Sequence, residues 1–157
     1  MATIPPRTAN RDIQGHSTEI LVQTFADRIM VLVTQLGKVG NLIQATLPST
    51  VPLNPVSSES DPLDYKNVQL PEPPAAVQLM PLLGSASSEH TRALQSLYAS
   101  QIATILWTFE SLGPLVVARR PVIVGIALRN SKVEGDEAER ATFLEVMKVL
   151  SELILQT

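Results

Sequence analysis

The stretch Arg28–Leu42, RIMVLVTQLGKVGNL, decides how the chain folds. Ile29, Met30, Val31, Leu32 and Val33 are all apolar. In a strand, successive side chains leave opposite faces of the sheet. Ile29, Val31 and Val33 therefore need cover on one side, Met30 and Leu32 on the other. A short chain must find two covers for one sheet. Upstream, Glu19–Ala26 (EILVQTFA) reads as a strand that joins this one through a tight turn at Asp27–Arg28. Downstream, Gly37 and Gly40 predict a hairpin loop that returns at Leu42–Leu47 as a third strand, paired antiparallel with its neighbour. A phosphate-binding reading of LGKVG fails, because Lys38 is followed by Val39 and not by a hydroxyl residue.

Outside this unit the pattern changes. Pro48–Pro81 holds eight of the twelve prolines among Ser and acidic residues, which excludes a helix and predicts a long mobile loop. Val77–Leu83 is apolar again and suits an edge strand, where Pro81 is tolerated. Leu94, Leu97, Tyr98, Ile102, Ile105, Leu106, Phe109 and Leu112 recur every three or four residues, one face of a helix. Ser88 is its N-cap and Gly113–Pro114 its stop. Pro121–Leu128 (PVIVGIAL) is a second strand with apolar residues at both parities. A last helix starts at Gly135 or Asp136 and buries Phe143, Leu144, Met147, Leu150, Leu153 and Ile154.

The sum is an α+β fold: an antiparallel sheet of five to six strands, two helices packed on one face, and the other face a dimer interface. Residues 1–14 are polar and read as a flexible N-terminal arm, and 15–157 as a single domain with a mobile loop at 48–77. The second face carries the argument for a partner. Wetting several large apolar side chains would forfeit roughly 1.5–3 kcal/mol each, against a total stability of about 5–15 kcal/mol. A second sheet stacked about 10 Å away solves this. The alternative cover is the Pro-rich loop folding back.

Composition narrows the function. The chain is 45% hydrophobic and 17% charged with net charge -3, enough apolar material for a core and no basic excess to suggest nucleic acid. There is no cysteine, hence no disulfide and no thiolate metal site. MATIPPRTANRD lacks the apolar core of a secretory signal, and GPLVVARRPVIVGIAL is broken by Arg119–Arg120–Pro121, so no membrane segment is expected. His16 and His90 have no second ligand at metal spacing. No G-x-S-x-G elbow marks a nucleophile. No catalytic, cofactor or metal residue is assigned, and an enzyme is not expected. Asp136, Glu137, Glu139 and Glu145 suit a solvated helix start. Trp107, beside the apolar stripe, is read as core. Ser57–Asp61 offers a phosphorylation site only if it is more than linker.

Two motifs carry a resemblance. One is an apolar strand ending in Val33-Thr34-Gln35, then Leu36-Gly37-Lys38-Val39-Gly40; the other is Val133-Glu134-Gly135 after the second apolar strand. In these, and in the order of elements from about residue 17, the chain resembles the proteasome assembly chaperone 3 family. The resemblance implies a non-enzymatic chaperone that pairs with an assembly chaperone 4-like protein or with itself. It further implies binding of proteasome α-subunits, notably α5, to promote α-ring formation of the 20S core particle in the cytoplasm or nucleus. Met30, Leu32, Val124 and Ile126 are the candidate dimer interface. Arg119, Arg120, Arg129 and Lys132 are the candidate α-subunit contacts, as rim charges around the second apolar strand. The competing reading is a longin- or roadblock-like dimeric scaffold regulating a GTPase, although roadblock chains open with a helix and EILVQTFA has no helical stripe.

Overall fold

The structure, a computed structural model, describes residues 4–54, 70–113, 118–129 and 135–155. Its elements are β1 (Arg7–Ile13), β2 (His16–Thr24), β3 (Ile29–Thr34), β4 (Leu42–Thr46), β5 (Gln78–Leu83), α1 (Glu89–Ser111), β6 (Val122–Ala127) and α2 (Gly135–Leu155). The six strands form one sheet in the order β1-β2-β3-β6-β4-β5. Every neighbouring pair is antiparallel except β3 and β6, which run parallel. This is an α+β fold with both helices on one side, as the sequence predicts.

Two expectations need correction. The first is the N-terminal arm. Within it, Arg7–Ile13 is a full edge strand, registered from Arg7↔Val22 to Ile13↔His16. Gln14 and Gly15 both take positive φ, 53° and 79°, which gives the tight two-residue turn favoured by strand twist. The strand is hard to read because most of its residues are polar. It is held from below by α2, where the Arg7 guanidinium donates to the Ile154 carbonyl at 3.1 Å.

The second is the hairpin after β3. β3 and β4 are not neighbours; β6 inserts between them and bonds to both. The segment 35–41 is a strap that crosses the end of β6. The passage is possible because residue 125 is glycine. A Cβ there would lie 2.6 Å from Val39 Cγ1, 2.8 Å from Leu32 Cδ2 and 3.1 Å from Leu42 Cδ2. The strap is tied down where Asn41 Oδ1 accepts the Ile126 N–H at 3.3 Å. β6 takes the centre because VIVGIA is the strand best able to be dry on both sides.

The core lies between the sheet and the two helices. It takes one parity of each central strand (Ile20 and Val22, Val31 and Val33, Val122 and Val124) together with Ile102, Leu106, Met147 and Leu150. Ser88 caps α1, its Oγ accepting the Thr91 N–H at 3.1 Å. Tyr98 on α1 meets Phe143 on α2 edge to face, with centroids 5.1 Å apart. Trp107 is buried, as expected, and donates to the Arg120 carbonyl at 2.8 Å. Leu97, Leu112 and Leu144 follow the helical spacing but are exposed. The buried run of α1 begins only at Tyr98, and Leu112 is already the C-cap.

The described ends of the Pro-rich segment are not solvated linker. Pro71 and Pro74 are buried, and Val51, Leu53, Leu70 and Val77 pack against the core. Gln101 Nε2 on α1 donates to the Pro71 carbonyl at 2.8 Å. These ends therefore add to the helix side. The rest of the segment, including Ser57–Asp61, lies outside the described residues.

Candidate protein-interaction surface

The strand registers fix what the helix-free face presents. One row crosses the sheet as Gln23, Met30, Ile123, Gln44 and Met80. The next runs Thr8, Leu21, Leu32 and Gly125. Leu21, Met30 and Leu32 are half-buried, and Met80 on the edge strand is 59% exposed. Ile123, at the centre of its row, is only 8% exposed. Neither helix touches this face. The result is an apolar patch edged by amides, with Glu19 and Thr34 in the row beyond it.

Of the residues predicted for the dimer interface, the structure places Met30 and Leu32 on this face and Val124 and Ile126 on the other. Val124 is 0% and Ile126 7% exposed, within the core under the helices. The cause is register: Val31 stands beside Val124 and Leu32 beside Gly125, so the open parity of β6 is Ile123 and Gly125. With both parities apolar, spacing alone could not choose. The signal that could have chosen is Gly125, since a glycine inside a central strand marks close approach of another segment. The strap supplies that approach and sets Val39 over one end of the face, a partial cover that the sequence did not foretell.

The predicted basic rim divides as well. Arg119 donates to the carbonyls of Pro48 at 2.6 Å and Val51 at 2.9 Å. Arg120 pairs with Glu110 and donates to the Phe25 carbonyl at 2.8 Å. Both arginines are thus engaged in holding loops and β6 to the body of the protein, and they make poor rim charges. Arg129 is exposed, and among the described residues only its backbone N–H is fixed, by Gln35 Oε1 at 2.9 Å. Lys132 lies outside the described residues.

A second concavity sits on the helix side, at the carboxyl ends of β3 and β6. It is a cleft of about 700 Å3 between α1 and α2, with Leu94, Tyr98, Ile126, Leu128 and Arg129 in its lining. His16 also lines it and is half-buried. Glu139, also in the lining, has both carboxylate oxygens 2.9 Å from His90 Nε2. That hydrogen bond and charge raise the His90 pKa above its ordinary value, with Asp136 adding a little. Burial, and then the Glu139 charge, push the Tyr98 phenol upward, so it stays protonated. Among the described residues no three His, Cys, Asp or Glu side chains gather as a metal site would need, and no helix is long and apolar enough to cross a membrane.

No protein-family model matches the chain, and no curated protein matches it by sequence. By fold it is similar to a solved yeast chain, from the crystal structure of "a novel chaperone complex for yeast 20S proteasome assembly". The two share 12% identity and a TM-score of 0.52, over 96% of this chain and 98% of that one. The likeness spans the whole sheet and both helices, and at that identity it is a likeness of fold.

Proposed function

We propose that the protein is a non-enzymatic chaperone of 20S proteasome assembly. It works as one half of a pair with a related, chaperone 4-like protein, and it holds α-type subunits, α5 among them, while the α-ring forms. The observation that carries this reading is an apolar sheet face left without helices, on a fold shared end to end with a chain of the yeast assembly-chaperone complex. Stacking two such sheets would bury Leu21, Met30, Leu32 and Ile123 at the centre and leave the glutamines and Glu19 at the rim, the usual anatomy of a specific interface. The described ends of the Pro-rich loop support it too, because they pack on the helix side and not on this face. Binding alone is the mechanism, in the cytoplasm or nucleus.

The test is co-expression with a chaperone 4-like protein and with single α-subunits, followed by native mass measurement. A heterodimer that also retains an α-subunit is the expected result. A chain that neither pairs nor retains any α-subunit would remove the reading.

A further inference from the structure

If one face of the sheet is spent on pairing, the client must be held elsewhere, and Arg119 and Arg120 are already engaged within the chain. Among the described residues, the cleft at the ends of β3 and β6 lies open on the far side of the molecule. Its volume of about 700 Å3 falls in the range of ligand clefts, about 300–1,000 Å3. It lies outside the carboxyl ends of the parallel pair, where sheet geometry tends to open crevices.

We propose that this cleft takes a short extended segment of the client α-subunit, with one large apolar side chain on Leu94, Ile126 and Leu128 and a carboxylate on Tyr98 and Arg129. The assignment rests on the assembly-chaperone reading, which supplies the client. Three observations argue for that chemistry. The floor is apolar. The Tyr98 side chain is buried and lines the cleft, yet its hydroxyl makes none of the hydrogen bonds found among the described residues. Its phenol, held protonated, is a donor that awaits an acceptor. Finally, Glu139 is already hydrogen-bonded to His90, whereas the Arg129 guanidinium has no ion pair among the described residues and its backbone is anchored by Gln35. A donor hydroxyl and a cation above an aliphatic floor fit an acidic–apolar peptide segment.

The experiment uses the chain co-expressed with its chaperone partner and titrated with the α-subunit it retains. Tyr98→Phe keeps the ring that packs on Phe143 and removes only the hydroxyl; capture should weaken roughly threefold to tenfold. Arg129→Glu is a surface change; capture should weaken at least about tenfold, and added salt should partly restore it where it weakens wild-type capture. Pairing with the chaperone partner should be untouched in both. Wild-type-like capture by both variants would overturn the cleft assignment while leaving the chaperone reading intact. A wild-type chain that pairs but captures no α-subunit would overturn the client half of that reading, and this assignment with it.

Discussion

Replacing Leu32 and, separately, Val124 by lysine tests the two faces against each other, because the residues lie one register step apart on adjacent strands and point in opposite directions. Val124 is wholly inaccessible and packed in the core. Lysine there loses the burial of an isopropyl group, about 1.5–3 kcal/mol. It also buries an ammonium with no partner, and unpaired buried charges cost several kcal/mol more. The sum is comparable with the whole stability of a small domain, about 5–15 kcal/mol, so Val124→Lys should be unfolded or insoluble alone and in co-expression. Leu32 is half-buried beside Leu21 and Gly125. A lysine stem can lie over the same apolar surface with its charge in water, so the isolated chain should lose only about 1 kcal/mol, within the ordinary range for single substitutions. In a stacked pair the same ammonium would be trapped between two sheets, and pairing should drop by at least about a hundredfold, the equivalent of roughly 3 kcal/mol at a truncated or unpaired interface charge. Urea titration of each chain, with native mass measurement of the partner mixture, reads both effects. A Leu32→Lys chain that pairs like wild type would refute sheet stacking. A Val124→Lys chain with a near-normal urea midpoint would refute the assignment of faces.

Gly125→Val should destabilise by about 1–3 kcal/mol despite the better strand propensity of valine, since overpacking is costly and the new Cβ starts 2.6 Å from Val39 Cγ1. Hydrogen exchange should show the strap amides at 36–41 losing protection, and unchanged protection would mean the strap does not rest on β6. The His90–Glu139 contact raises the His90 pKa above 6.5, so its stabilising effect is complete below that value and fades as pH rises through the raised one. Denaturation of wild type and His90→Gln at about pH 6 and about pH 9 should differ most at the lower pH, and a gap that widens with pH would contradict the pairing.

Much of this fold was legible. Ser88 and the three-four spacing after it announced α1, and Pro81 in an apolar run announced an edge strand; both signals are local and act through a neighbouring backbone group. Non-local matters were not legible. Nothing within LGKVG says whether the chain turns back beside β3 or steps over a strand that has yet to be made. That depends on β6, some eighty residues on, filling the place next to β3. Strand β1 was illegible for another reason: an edge strand over a helix terminus needs little apolar surface, so RTANRDI carries almost no periodic signal. The choice of residues for the helix-free face failed by half for a similar cause. Met30 and Leu32 follow from β3 alone, whereas Ile123 in place of Val124 follows only from the register between β3 and β6. The cleft was invisible, because Tyr98, Ile126 and Arg129 come together only when α1 lies over the strand ends.

The strap also limits how a partner can approach. Val39 stands over Gly125, so that point of the sheet is already roofed, while Leu32 beside it stays half-buried. A flat sheet laid about 10 Å above would meet the strap before it met Gly125. The row of Gln23, Met30, Ile123, Gln44 and Met80 lies two residues closer to the amino-terminal ends of β3 and β6. In the proposed pair the partner therefore seats on this row and on Leu21 and Leu32 beside it, clear of Gly125. The cleft lies at their carboxyl-terminal ends and on the opposite face, so a sheet bound in that position leaves it open.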